Sequence, residues 1–255
     1  MRENKHSIDE DPNATVKEVY QQAGKMMDVL DCQVLKLYLM EANRLLERIR
    51  DLQRKMEQIT GVTIRSLNIS PVVDRDIIKK IEQEIPIEVP HQLKEFYLRH
   101  ASSVDFRWSA EPSVFGVDCK RGELNVLPPM MVLNVYRDMM EIVNEGRTNQ
   151  REFNENAGVR ALVNDWPYWL PFCSFANGDA FCIDARNQKI VFLEHDVMDG
   201  GPYIHGTKIA ENIYELLERW IQIAFVDVYD WSKVVDDEGI NLSNPLLEPL
   251  LQKIK

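Results

Sequence analysis

From about Ala14 to Thr60 the chain contains one glycine, Gly24, and no proline. Apolar residues recur through this run at helical spacing: Val16, Val19, Ala23, Met26, Leu30, then Val34, Tyr38, Ala42, Leu45, Ile49, Leu52, Met56 and Ile59. From Tyr38 onward the steps alternate between four and three residues, as in a coiled-coil seam, and the 4-4-4 steps between Met26 and Tyr38 read as a stutter. Glu47, Arg48, Asp51, Arg54 and Lys55 fill the opposite face, with Asp51 and Lys55 spaced to attract one another. An unbroken helix of this length would reach roughly 65–70 Å at ~1.5 Å per residue. Such a helix cannot bury its whole stripe on a small domain. It must pair with another chain, fold back as a hairpin, or dock along its own domain. With no strong turn signal inside Asp28–Met56, the reading favours a homodimer through residues 14–60.

The chain has 255 residues, room for one large domain or a domain with an appendage. A 45% hydrophobic content supports a core, and 28% charged residues fit a soluble protein. No apolar run approaches the ~20 residues that span a bilayer, so no membrane contact is expected. The opening stretch "MRENKHSIDEDPNATVKEVY" has no apolar region of the kind a secretory signal needs, and a cytoplasmic location is the simplest reading. Cys32, Cys119, Cys173 and Cys182 form no C-x-x-C pair, so neither a zinc knuckle nor a redox motif is written here. No cofactor is called for.

The net charge of −11 is uneven. Residues 1–70 hold 11 basic and 11 acidic side chains; residues 161–250 hold 5 basic against 15 acidic. That imbalance can be a solvated surface or a face for a basic partner. It disfavours direct nucleic-acid binding, which needs clustered Lys and Arg against phosphates.

Residues 1–13 read as a disordered arm. Gly61 stops the long helix and "VTIRSLNIS" reads as extended. Ser70-Pro71 reads as the cap of a helix running to Glu84, and Pro90 opens a helix through "HQLKEFYLRHA", where His100 is a helix-end residue. "SVDFRWSA", "SVFGVDC" and "GELNVLP" look like strands. Pro128-Pro129 starts a helix through Asn144, closed by Gly146, that carries Met130, Met131, Met139 and Met140. "GRTNQREFNENAGVRALVND" reads as a mobile loop or short helix. In "GTKIAENIYELLERWIQIAF", Thr207 is placed as the cap of a helix with Ile209, Ile213, Leu216, Trp220 and Ala224 on one face. The tail, with Leu246, Leu247, Leu250 and Leu251, predicts a short docked peptide or helix.

The stretch "SFANGDAFCIDARNQKIVFLEHD", residues 174–196, is dense in chemically capable side chains. Asn177-Gly178 predicts a two-residue type I′ hairpin, which would set Cys173 directly across from Cys182 as buried thiols. Asp179, Asp184, Glu194, His195, Asp196, Asp199 and His205 are the right types for a metal, but no H-x-x-x-H, E-x-x-H or calcium-loop spacing joins them. Ser174, Cys173 and Cys182 lie inside strands and not at a nucleophile elbow. No glycine-rich phosphate loop exists. The enzyme reading has no constellation behind it.

The succession "IPIEVPHQLKEFYLRHASS", "GELNVLPPMMVLNVYRDMMEIVNE", "WPYWLPFCSFANGDAFCIDARNQKIVFLEHD" and "IAENIYELLERWI" resembles the SUKH superfamily in its Smi/Knr-like branch, over about residues 70–226. The resemblance rests on the order of these segments and the spacing from "GDAFCID" to "FLEHD". It implies an α+β fold: a curved, mainly antiparallel sheet with flanking helices, here preceded by a long helical N-terminal segment. The layout read is an arm at 1–13, a coiled-coil-like helical segment at 14–68, a SUKH-like α+β domain at 69–228 and a C-terminal tail at 229–255. The resemblance also implies a non-enzymatic protein: many bacterial members are immunity proteins that neutralise a cognate toxin, often a nuclease, and fungal relatives are scaffolds in cell-wall signalling. A basic protein toxin domain is the partner expected, because charge complementarity speeds association with an acidic inhibitor. Asp179, Asp184, Glu194, Asp196 and Asp199 are the candidate contacts, with Trp169 and Tyr203 as aromatic anchors. The alternative is an intracellular scaffold working through its N-terminal helix.

Overall fold

The structure, a computed structural model, describes residues 44–149, 151, 155–195, 204–228 and 230–254. The expected arm at 1–13 and the helical run up to residue 43 lie outside the described residues. The described part of the seam is helix α1 (44–57), and its apolar positions Leu45, Ile49, Leu52 and Met56, joined by Leu46, are buried in the main core. Each such side chain contributes roughly 1.5–3 kcal/mol by leaving water. Arg48 ties the helix to Glu218, and the Lys55 ammonium donates to the carbonyl of Ile254 at 3.4 Å. This part of the helix therefore docks on its own domain. Gly61, at φ +85°, turns the chain into the sheet.

Seven strands follow: β1 (Val62–Ser70), β2 (Ser103–Ala110), β3 (Arg121–Val126), β4 (Trp169–Ser174), β5 (Ala180–Asp184), β6 (Ile190–Leu193) and β7 (Lys208–Ala210). They lie in sequence order and every pairing is antiparallel. Helices α2 (Arg75–Glu84), α3 (His91–Arg99), α4 (Pro112–Phe115), α5 (Pro129–Thr148), α6 (Ala157–Asp165), α7 (Ile213–Trp220) and α8 (Glu248–Ile254) fill the connections and the C-terminus. The chain is thus an α+β protein with an antiparallel sheet and flanking helices.

The two faces of the sheet differ. One is wholly apolar and packs with α1, α2, α3 and α7, and an aromatic cluster sits at its centre, with the Phe181 ring 5.1 Å from both Phe175 and Trp220. On the other face, β4, β5 and β6 contribute Trp169, Ala180, Cys182, Val191 and Leu193 to a second core closed by Met139 and Val143 of α5 and Val159, Leu162 and Val163 of α6. Over β1, β2 and β3 this second face is polar, because Asn68, Asp105 and Asn125 stand in one cross-strand row and Ser66, Arg107 and Glu123 in the next. Alternation along these strands buries Phe106 and Leu124 on one side and leaves the charges on the other.

The halves of the sheet are joined at one strand pair, Val126 with Cys173. The chain leaving α7 fills the gap with a wedge, residues 224–227. Ala224 and Phe225 take left-handed conformations (φ +51° and +54°), and Val226 bridges to Gly122. Trp108 Nε1–H donates to the Ala224 carbonyl at 2.6 Å, and a Cβ on Gly122 would lie 2.1 Å from that same nitrogen. Only glycine fits there.

Several local expectations change. Helix α2 starts at Arg75 after Asp74, not at Pro71; the segment 71–74 instead runs extended, with the Val73 N–H on the Tyr97 carbonyl at 3.1 Å. "SVFGVDC" is a short helix and turns, since Pro112 at the first helical position favours a helical turn there. Gly146 lies inside α5: its missing Cβ would come within 2.9 Å of Val163, so it permits close approach of α6 and does not end the helix. The cap of α7 is Asn212, whose side chain accepts the Glu215 N–H at 2.9 Å, and Lys208–Ala210 is strand β7, because Lys208 and Ala210 pair with Val191 and Ile190 of β6. The tail docks as expected: Trp231, Leu247, Leu250 and Ile254 are buried. Its small hairpin of β8 (Val235–Asp236) and β9 (Gly239–Ile240) covers the β7 edge.

Candidate functional site

The loop between β4 and β5 is a three-residue hairpin. Gly178 N–H reaches the Phe175 carbonyl at 3.1 Å, Phe175 N–H reaches the Asp179 carbonyl at 2.9 Å, and Gly178 (φ +97°) is the left-handed residue of the loop. This is a type I turn closed by a glycine bulge, not the type I′ turn read from Asn177-Gly178. The one-residue difference moves the register. Cys173 pairs with Phe181 and Pro171 with Cys182 across an irregularity at Phe172, and the two thiols belong to the two separate cores. Both are free and fully buried, and burial pushes the Cys173 thiol up to about 12 and that of Cys182 well above its ordinary value. Neither is a thiolate at neutral pH, so neither serves as a nucleophile.

Asp184 is 3% exposed. It accepts from the Arg186 backbone N–H at 2.9 Å, from the Arg186 guanidinium at 2.6 Å and from Trp169 Nε1–H at 3.3 Å. Burial would raise its carboxyl, but these donors together hold it below the usual range. Arg186 also reaches Asp165 at 3.0 Å and lies over the Tyr168 ring. Asp184 and Trp169, which is 1% exposed, thus pin the β4–β5 ladder and present nothing to a partner. They were expected as contacts, but the continuous burial of both strands places them inside.

Asp179, also buried, closes the other end of the hairpin. It accepts from Asn177 Nδ2 at 2.6 Å and from the His195 backbone N–H at 3.0 Å, and His195 Nδ1 lies 2.8 Å from the same carboxyl oxygen. The His195 ring is about half exposed. Glu194 stands beside it, half-buried, its carboxyl raised by burial and by Asp179. Its backbone N–H donates to His205 Nδ1 at 3.2 Å, which fixes the neutral His205 ring with its proton on Nε2. Burial lowers His205, whose ring lies 4.8 Å from that of Trp169. Asp196, Asp199 and Tyr203 lie outside the described residues.

Asp179 and Glu194 meet a set of carboxylates from distant parts of the chain. Asp105 and Glu123 stand on the polar half of the sheet, and Asp227 sits where the wedge meets β3. Glu123 is raised by burial, despite Arg107, and further by Asp227 and Asp105; Asp227 is raised by burial, despite Arg121, and further by Asp179. The five carboxylates form one electrostatically linked series across β2, β3, the wedge and the hairpin. Two cations pair with it: Arg107 with Asp105 at 2.7 Å and Glu123 at 3.1 Å, and Arg121 with Asp227 at 2.7 Å. Both arginines are about half exposed. A surface depression of about 260 Å³, lined by Val117, Asp118, Lys120, Arg121 and Asp227, opens beside the second pair. Sequence reading missed Asp105, Glu123 and Asp227, which only strand register and the wedge bring together. The alternation in "VDFRW" and "GELNV" was the available signal.

Among the described residues, no three His, Cys, Asp or Glu side chains are grouped to hold a metal ion, and no helix is long and apolar enough to cross a membrane. The site is a polar, carboxylate-rich sheet face on an α+β scaffold. Residues 73–219 match the SMI1/KNR4 family (SUKH-1), and the chain belongs to that family. No curated protein matches it.

Proposed function

We propose that the protein is a non-enzymatic, cytoplasmic, immunity-type binding protein that neutralises a basic toxin domain, in the manner of a nuclease inhibitor, through the carboxylates on the open half of its sheet. The observation that carries this reading is the linked series Asp105, Glu123, Asp227, Asp179 and Glu194, in which Glu123, Glu194 and Asp227 are raised first by burial and then by the negative charge of their neighbours. A cationic side chain arriving from a partner would relieve that crowding. Membership of a family that includes toxin-immunity proteins supports the reading. The contact residues are therefore Asp105 and Glu123, framed by Arg107, Arg121 and the exposed His195, in place of Trp169 and Asp184.

The test pairs the chain with the toxin-like product of the adjacent reading frame. Co-expression should protect cells, and the purified proteins should bind. Asp105→Lys together with Glu123→Lys should weaken binding at least tenfold, mainly in the association rate. Lowering the pH should weaken it too, because raised carboxyls take up protons earlier than ordinary ones. Full protection by the double variant would sink the assignment of this face.

A further inference from the structure

The two edges of the sheet are treated differently. β7 is three residues long and is covered by the tail hairpin, whose Gly239 packs so closely that an added Cβ would lie 2.0 Å from the Ile209 carbonyl oxygen. β1 is nine residues long, the longest strand of the sheet. Between Thr63 and Ile69 its backbone hydrogen-bonds, among the described residues, only to β2. Natural edge strands are normally blunted by proline, by charge, by bulges or by brevity. β1 has a bulge between Ile64 and Ser66 whose extra residue, Arg65, is its sole charge, and the regular stretch Ser66–Ser70 beyond it has none of these devices. The apolar row of β1 is also unfinished: Leu67 and Ile69 are half-buried, while their β2 partners Phe106 and Val104 are fully buried.

We infer that β1 is a homodimer interface, in which a second copy of this chain adds its own β1 antiparallel about a two-fold axis at Asn68. The sequence is self-complementary in that register. Leu67 falls opposite Ile69 of the second copy on the apolar face, and Asn68 opposite Asn68 and Ser66 opposite Ser70 on the polar face. All five regular residues after the bulge are used, like meets like, and no charge opposes a charge. Arg65 falls opposite position 71, beyond the strand end. A one-residue shift would instead set Arg65 against Ser70 and Ser66 against Ile69, which opposes polar to apolar side chains. A foreign strand has no such constraint, whereas a two-fold requires it. This pairing does not rest on the proposed function.

The experiment uses the full chain with Asn68→Cys. Residues directly opposite in an antiparallel pair have α-carbons about 4.5–5.5 Å apart, within disulfide reach. Mild oxidation should give a double-mass species on a non-reducing gel. The wild-type chain and Thr63→Cys should not, and the wild type also controls for Cys32. Asn68→Lys, an exposed change that sets two ammonium groups at the axis, should weaken the dimer several-fold by sedimentation equilibrium while leaving the circular dichroism spectrum unchanged. A monomeric wild type at tens of micromolar overturns the inference. So does a dimer that ignores Asn68→Lys and gives no Asn68→Cys cross-link.

Discussion

His100 ends α3 with 7% exposure, and neither ring nitrogen has a hydrogen-bond partner. Its ring meets Phe96 and Tyr214 edge-on at 5.9 and 5.8 Å. Burial, with repulsion from Arg99 second, lowers it from the ordinary 6.5 to about 4. The fold therefore holds the neutral ring, and the unfolded chain protonates first as the medium is acidified. The stabilising contribution is fully present above pH 6.5 and is lost as pH falls from there toward 4. A shift of that size corresponds to about 3 kcal/mol once both states are protonated, and to about 2 kcal/mol near pH 5. His100→Phe keeps an aromatic ring between Phe96 and Tyr214 and removes the titration. Urea unfolding of both proteins at about pH 7.5 and about pH 5 isolates the effect, because every other group titrates alike in the two chains and cancels. The wild type should lose about 2 kcal/mol more than His100→Phe on acidification. Equal losses would refute the argument that this imidazole is buried and neutral.

Gly122→Ala should destabilise by about 2–3 kcal/mol or prevent folding, since the added methyl collides with Trp108, and thermal melts would show it. Asp184→Ala should cost about 2–4 kcal/mol by leaving the buried Trp169 indole without its acceptor and the Arg186 guanidinium with Asp165 alone. Because the carboxyl of Asp184 is lowered, its contribution is present above the unfolded-state pKa and is lost on acidification, so the cost of Asp184→Ala should shrink in acid. Leu52→Ala should cost about 2–5 kcal/mol, and a chain begun at residue 69 should fail to give a cooperative unfolding transition, because it lacks α1 and β1.

Order and type of most elements were legible because long periodic runs and turn residues report local physics. "SVDFRWSA" is β2 residue for residue, and the alternation in it is visible by eye. The seam from Leu45 to Met56 named its own buried face, but not whether that face would meet another chain or its own sheet, since periodicity carries no information about the partner. Asn177-Gly178 marked a hairpin correctly and its register wrongly; type I′ and type I with a bulge share the same residues and differ only in which of them goes left-handed. The site was the least legible part. Asp179 and Asp184 attracted notice through their crowded surroundings, yet Asp184 is consumed by Arg186. Glu123 and Asp227 are more than a hundred residues apart and become neighbours only through non-local pairing.

The wedge at residues 224–227 sets the order of events during synthesis. The β3–β4 junction has a single strand pair of its own, and the hydrogen bonds that complete it come from Phe225 and Asp227, supplied near the end of the chain. A ribosome extending the polypeptide from its N-terminus releases both halves of the sheet before their seal exists. Until residue 228 emerges, the nascent chain carries an open seam and the bare Trp108 indole that Ala224 will later accept. Translation arrested in that interval should leave a product that chaperones hold, and a truncation just before Ala224 should be cleared by proteolysis although nine-tenths of the strand residues are present.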